Sequence, residues 1–341
     1  MKALRKMTPE FGLAFAEVDR PPEPGHGEVL IEVTAAGICG SDVHIYEWTG
    51  GYEFIVPAMP VTLGHEISGR VIAAGGAACG LKSGDAVIVI PSVTCGACLA
   101  CTSGDDDDCV HRVGIGMSRN GGFACHVFAP ARNCMKLPTG FDPILAALCE
   151  PMVIGARAVE VGEVARGQRV LVLGPGTIGQ TIALLSRAAG ADDVVVAGLD
   201  DSLRLGIMRQ LGFDCVVDLR DASIAQVAGE QKFDVVFEAT GAPAVVQQGL
   251  SLLRKEGVLV VAGIHPRAAT IDLNGLVRQQ QQLRGTQRGK RRNWTRAFDF
   301  VVTQGERLAP MITHRLPLDQ AIEGFELARR KQASKVMLLP E

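Results

Sequence analysis

Gly174-Pro175-Gly176-Thr177-Ile178-Gly179, entered from the apolar run R-V-L-V-L at 169–173 and continued by T-I-A-L-L-S-R-A-A at 181–189, decides the fold of half this chain. A G-x-G-x-x-G match alone carries little weight. Here it lies where a strand pattern gives way to a helix pattern, the setting a dinucleotide fingerprint requires. Gly174 permits the tight turn, Gly176 lets backbone approach a pyrophosphate, and Gly179 lets helix and strand pack closely. With Thr177 and Ile178 they present the N–H groups of a helix N-terminus to phosphate oxygens. A second apolar strand, D-V-V-V-A-G-L-D at 193–200, ends in Asp200, about 20 residues past the last glycine. An acid there accepts hydrogen bonds from an adenosine ribose, which favours NAD over NADP. Gly198 is the alternative occupant of that position, and Arg204 stands close enough to meet a 2′-phosphate.

Working outward, two further apolar runs follow, F-D-V-V-F-E-A-T at 233–240 and G-V-L-V-V-A-G at 257–263, with helical stretches between them. Near-continuous apolar strands alternating with helices predict a doubly wound parallel sheet buried on both faces. The first part of the chain reads differently. Short strands at 28–34, 69–74, 86–90 and 124–129 are separated by Gly and Pro, which predicts a β-rich, barrel-like lobe. The fold class is therefore α/β. Expected boundaries are a β-rich domain over 1–151, a dinucleotide domain over 152–289, and a C-terminal return to the first domain over 290–341.

At 341 residues, with 47% hydrophobic residues, 21% charged residues and 40 glycines, the chain is long enough for two domains with real cores. A net charge of −3 gives no general attraction to nucleic acid or anionic membrane. No apolar run is long enough to span a bilayer, and M-K-A-L-R-K-M-T-P-E lacks the apolar core of a secretory signal, so a cytoplasmic protein is expected.

Cys95, Cys98, Cys101 and Cys109 lie in C-G-A-C-L-A-C-T-S-G-D-D-D-D-C, a C-x2-C-x2-C-x7-C spacing, within a lobe at about 91–112. Two-residue gaps let successive thiolates converge on one tetrahedral centre, which points to structural zinc. An iron–sulfur cluster is the rival, but its usual spacings differ. Four sulfurs close the coordination shell, so chemistry must lie elsewhere. The four acids Asp105–Asp108 read as a solvated turn inside that loop.

A second set is more dispersed: Cys39 in G-I-C-G-S-D-V-H, His65 and Glu66 in L-G-H-E-I-S-G, and Glu150 in L-C-E-P-M. Mixed thiolate, imidazole and carboxylate donors suit a catalytic zinc that keeps a position open. With these motifs in this order, the chain resembles the zinc-dependent medium-chain dehydrogenases of the alcohol dehydrogenase family over essentially its whole length. The resemblance implies a GroES-like catalytic domain joined to a Rossmann domain, and two zinc ions per subunit. Cys39 and His65, with Glu66 or Glu150, would hold the catalytic one. It also implies a homo-oligomer, a dimer or tetramer, acting on a small-molecule alcohol.

The branches it resembles are sorbitol (polyol) dehydrogenase and L-threonine 3-dehydrogenase. M-K-A-L, D-V-H-I-Y-E-W and P-M-I-T-H-R suit the threonine branch, whereas Ser92 stands where that branch is expected to carry a histidine. A secondary alcohol or polyol oxidised with NAD is therefore the first expectation, and threonine the alternative. In the resembled family Ser41 and His44 relay the released proton, and Glu66 is placed among the residues acting in catalysis as well as among the ligands. Asp42 is expected to orient a ligand. The basic segment R-G-T-Q-R-G-K-R-R-N-W-T-R at 284–296 reads as a solvated helix start rather than a nucleic-acid site. An anionic substrate is its other possible use. Trp48, Tyr46 and Phe54 are candidates for lining the substrate pocket. A zinc-stabilised binding protein that has lost catalysis is the non-enzymatic alternative.

Overall fold

Alternation of apolar and polar residues builds the first unit around one long strand. In the computed structural model, which describes residues 1–340 except 224, 225, 227, 228 and 230, the chain divides into Met1–Glu150 with Phe298–Glu341, and Pro151–Ala297. Strands β1 (Lys2–Lys6), β2 (Ala14–Glu17) and β4 (Val61–Thr62) form a small antiparallel sheet. Between β2 and β4 runs β3 (Glu28–Gly37), which turns Val29, Ile31 and Val33 inward and Glu32 outward. It continues beyond the expected end at 34 because Ala35, Ala36 and Gly37 still pair with β5 (Glu66–Ala74).

The same sheet takes in β6 (Ala86–Val89), β9 (His126–Pro130), β10 (Cys134–Lys136), β17 (Ile312–Pro317) and β18 (Lys335–Leu339). The short pair β7 (Ser92–Val93) and β8 (Val113–Gly114) flanks the cysteine-rich loop. The C-terminal strand β18 lies between β3 and β17, antiparallel to the first and parallel to the second. The C-terminal strand is thus stitched into the sheet that carries Glu66.

The second unit is a six-stranded sheet in the order β13-β12-β11-β14-β15-β16, every neighbouring pair parallel. Its strands are β11 (Arg169–Leu173), β12 (Asp193–Gly198), β13 (Val216–Asp218), β14 (Phe233–Glu238), β15 (Leu253–Val261) and β16 (Gln282–Gly285). Val170, Leu171, Val172 and Phe237 are fully buried, as central parallel strands demand. The chain winds outward from β11 through β12 to β13, then crosses back to β14, so the order reverses between β11 and β14. Ligands of such sheets bind at the strands' carboxyl ends beside that reversal. The strand expected at 257–263 starts earlier, at Leu253, and stops at Val261, because Ala262 and Gly263 turn to donate their N–H groups to the carbonyl of Glu238. No helix among the described residues is long and apolar enough to cross a membrane.

Candidate active site

Cys39 ends β3's excursion and caps the helix Gly40–Glu47. Asp42, at that helix's third position, accepts the Cys39 N–H at 3.0 Å through Oδ2, which fixes the thiol-bearing residue against the helix. The other oxygen of Asp42, Oδ1, faces His65 Nδ1 at 3.5 Å, and both residues are buried. His65 Nε2 points the opposite way, 3.5 Å from Ser41 Oγ. Burial disfavours a charged imidazole, but the Asp42 carboxylate and the Cys39 sulfur on either side outweigh it and raise the pKa of His65 well above the usual value. A field that draws a proton onto this ring draws a metal cation equally. Among the described residues Asp42 Oδ1 and His65 Nδ1 have no other partner, the arrangement by which a carboxylate holds a ligating histidine with Nε2 free. The donor set fits zinc.

The structure places Glu66 differently from the expectation that it ligates metal. Both of its oxygens are held by Lys335, whose Nζ lies 2.6 and 2.7 Å from them and 2.9 Å from the carbonyl of Ile38. Glu66 is fully buried, and a Cβ on Gly37 would sit 2.0 Å from its Oε2, so only glycine leaves room for the carboxylate. Burial works against the Lys335 ammonium, yet Glu66, Cys39 and Glu150 around it raise its pKa, and it is charged. Among the described residues Glu150 has no such partner. Desolvation, only partly offset by His65 and Lys335, pushes its carboxyl up to about 7, in the same field as Glu66 and Asp42. Cys39, His65, Glu66 and Glu150 thus share one electrostatic neighbourhood, with Glu66 paired to an amine, although among the described residues only the lobe cysteines bring three or more ligand atoms within 4.8 Å of one another.

His44, one turn after Ser41 on the same helix, pairs its Nδ1 with Thr49 Oγ1 at 3.1 Å and stacks on Tyr52. Of the aromatic candidates, Tyr46 is turned into the core between Phe11 and Phe325, with its hydroxyl on Glu326. Trp48 lies under the Lys6 ammonium, and Phe54 is exposed.

The four lobe cysteines bring their sulfurs within 4.8 Å of one another. Backbone N–H groups of Cys95 and Cys98 point at cysteine sulfurs, at 3.3 Å each, the contacts that stabilise thiolates around a metal. Asp106–Asp108 form a short 3₁₀ turn whose carbonyls accept from Arg112, and Arg112 also donates to Ser92 Oγ at 2.8 Å.

In the second unit the glycine turn is built as the motif requires. Gly174 has φ +109°, and a Cβ there would approach the backbone of Ala239 to 3.0 Å. On Gly179 a Cβ would strike the Gly174 carbonyl at 1.8 Å. Gly176 is the N-cap of the helix Thr177–Ala188 and offers no side chain to its first turn, where Thr177, Ile178 and Gly179 lie.

The ribose-side residues depart from the expectation. Gly198, not Asp200, closes β12 and packs on Pro175. Asp200 lies beyond the strand at φ +52°, 73% exposed, paired with Arg220 at 2.8 Å. Asp201 caps the next helix, Ser202–Gln210, and binds Arg204, whose Nη1 lies 3.6 Å from where a Cβ on Gly176 would be.

The basic segment is more than a solvated helix start. Arg292 and Asn293 both bind Glu160, Arg284 binds Glu163 and the carbonyl of Val161, and Trp294 is buried. Arg284 and Arg292 brace the second unit internally, which leaves these two little to offer an anionic substrate.

The comparisons with known proteins agree with this geometry. Residues 25–139 match the alcohol dehydrogenase GroES-like domain, and residues 177–303 match the zinc-binding dehydrogenase family. The L-threonine 3-dehydrogenase of Vibrio parahaemolyticus is 32% identical over 99% of this chain and 98% of its own. The sorbitol dehydrogenase of Halalkalibacterium halodurans is 32% identical over 100% and 99%. A zinc-binding dehydrogenase of Sinorhizobium meliloti, solved bound to NADP, superposes with a TM-score of 0.88 at 28% identity, over 99% of each chain. Motif order, both folds and full-length similarity converge: the chain belongs to the zinc-dependent alcohol dehydrogenase family and is a dehydrogenase.

Proposed function

We propose that this protein oxidises a secondary alcohol or polyol, reversibly, with transfer of hydride to a nicotinamide dinucleotide, and that Cys39, His65 and Glu150 hold its catalytic zinc. The observation that carries the reading is the buried His65 imidazole, backed by Asp42 and set beside the half-buried Cys39 thiol, with a carboxylate of raised pKa in the same field. Zinc bound there supplies Lewis acidity, which lowers the pKa of an alcohol hydroxyl. The four lobe cysteines hold a second, structural ion.

The chain's own residues then manage the proton. Ser41 Oγ, beside His65, accepts the proton released from the substrate hydroxyl while giving up its own. His44, whose Nδ1 is engaged by Thr49, holds the departing proton on Nε2 before solvent takes it. Histidine suits that position because its ordinary pKa is near neutrality. Lys335 keeps Glu66 from competing for the metal while its positive charge offsets one carboxylate.

NAD(H) is the proposed coenzyme. Asp200, Asp201 and Asp218 face Arg204 and Arg220 beside the glycine turn, so carboxylates outnumber guanidiniums where a 2′-phosphate would lie. Asp200 contributes through this charge balance. The relative solved with NADP makes NADP(H) the alternative to be measured.

L-Threonine is the second substrate reading, favoured by the relatives of that name. Against it, Ser92 replaces the expected histidine, and its hydroxyl is taken by Arg112. The test offers zinc-loaded protein NAD or NADP with sorbitol, galactitol, 2,3-butanediol, simple secondary alcohols and L-threonine. Turnover of a diol or polyol with NAD is expected. Turnover of threonine alone would transfer the assignment to the second reading.

A further inference from the structure

At the carboxyl end of β14, beside the reversal of strand order, Glu238 is fully buried. Its Oε1 accepts the N–H of Thr240 at 2.7 Å and of Gly241 at 2.9 Å, as well as the Thr240 hydroxyl. Its Oε2 meets His265 Nε2 at 2.9 Å, from the loop after β15. The two loops are pressed together. A Cβ on Gly263 would lie 2.7 Å from Glu238 Oε2, and one on Gly241 would lie 2.6 Å from the Ile264 carbonyl. On the other flank, the Gly174 turn touches Ala239 and Thr240. One carboxylate thus locks the loops that follow β14 and β15 into shape next to the dinucleotide turn.

The other nitrogen of His265 is left over. Nδ1 is buried and finds no hydrogen-bond partner among the described residues. Buried polar atoms are rarely left so, and at a ligand-binding edge the ligand can supply the partner. With Nε2–H given to Glu238, Nδ1 carries a lone pair and needs a donor. The topology says which part of a dinucleotide would bring one. Pyrophosphate belongs at the Gly174–Gly179 turn and the adenosine half on the β12 side, so the nicotinamide nucleoside extends over β14 and β15. Its ribose carries hydroxyl donors.

Resting on the dinucleotide reading above, we propose that Glu238 and His265 form a subsite for the ribose of the nicotinamide half, with His265 Nδ1 accepting a hydrogen bond from a ribose hydroxyl. Glu238 is the positioning residue and His265 the contacting one. No charge on the imidazole is required, since the neutral ring already offers one donor and one acceptor.

The test compares three ligands on the zinc-loaded protein: ADP, which lacks the second ribose; ADP-ribose, which has it without nicotinamide; and NADH. His265→Leu is expected to weaken ADP-ribose and NADH about fivefold to tenfold while leaving ADP unchanged. In the unaltered protein, the ¹⁵N resonance of His265 Nδ1 is expected to shift on adding ADP-ribose and to stay in place with ADP, a readout that needs no substitution. Equal binding of all three ligands by the variant, or a loss confined to NADH, would overturn the ribose contact, and so would an Nδ1 resonance indifferent to ADP-ribose. Failure of the unaltered protein to bind ADP and NADH at all would instead remove the dinucleotide reading beneath it.

Discussion

Lys335 and Glu66 form an ion pair sealed from solvent, with the ammonium 2.6 and 2.7 Å from the two carboxylate oxygens and the Ile38 carbonyl as its third partner. Removing one member leaves a buried charge uncompensated, which costs about 3–5 kcal/mol. Lys335→Met is expected to lower the urea midpoint accordingly. Adding Glu66→Gln to it should recover much of the loss, because no net charge then remains inside. A double variant no more stable than Lys335→Met would show that packing, not charge, holds this strand.

On the proposed reading Asp42 acts on the metal through His65. Asp42→Asn keeps an acceptor for the Cys39 N–H but removes the charge behind the imidazole. Zinc affinity at one of two sites is expected to fall about 10–100-fold. Competition against a chromogenic chelator measures it, and an unchanged titration would remove Asp42 from the metal's support.

The cysteine lobe should bind its own ion. Cys98→Ser is expected to reduce the zinc content from two equivalents to one and to lower the melting temperature, with NADH binding by the second unit retained. Chelation of the unaltered protein should reproduce the loss of stability, because a metal that binds only the folded state stabilises by mass action.

Coenzyme choice should follow the charge balance beside the glycine turn. Asn remains a good helix cap, so the double substitution Asp200→Asn, Asp201→Asn spares the helix while deleting two negative charges. NADP affinity relative to NAD is expected to rise about tenfold at low salt and to fall back as ionic strength increases. A ratio unmoved at every salt concentration would place coenzyme choice elsewhere.

Glu160 gives the pH dependence of the second unit. Burial pushes its carboxyl up, but hydrogen bonds from Asn293, Arg157 and Arg292 outweigh that and bring the pKa to about 2, against 4.5 for an ordinary glutamate. The folded state therefore binds this proton more weakly than the unfolded one. Its stabilisation is fully present above about pH 4.5 and disappears as the pH falls toward 2. Glu160→Gln is expected to be less stable than the parent at pH 7, with the two curves converging across that window. A gap as wide at pH 2.5 as at pH 7 would contradict the ionic account.

Much of this was legible in the residues because local patterns carried it. The glycine turn, the apolar strands around it and the cysteine spacing each encode their geometry within a few residues. Adjacency to His65 suggests shared ligation for Glu66, but its ionic partner, which the sequence did not reveal, stands 269 positions away in a strand whose only hint was a lysine opening an apolar run. Asp200 was legible in part for a related reason: counting from the last glycine locates the acid, but not the left-handed turn that places it against Arg220. The pairing of Glu238 with His265 had no sequence signal, since neither residue belongs to a motif and only the packing of two loops brings them together.

Because β18 supplies Lys335 to a sheet whose earlier strands are β3, β5 and β6, the ammonium that Glu66 needs is encoded far downstream of its partner. The parallel sheet of the second unit is translated in full before that strand exists, so a chain cut short at residue 330 would carry every glycine of its coenzyme turn and lack the ammonium that Glu66 needs.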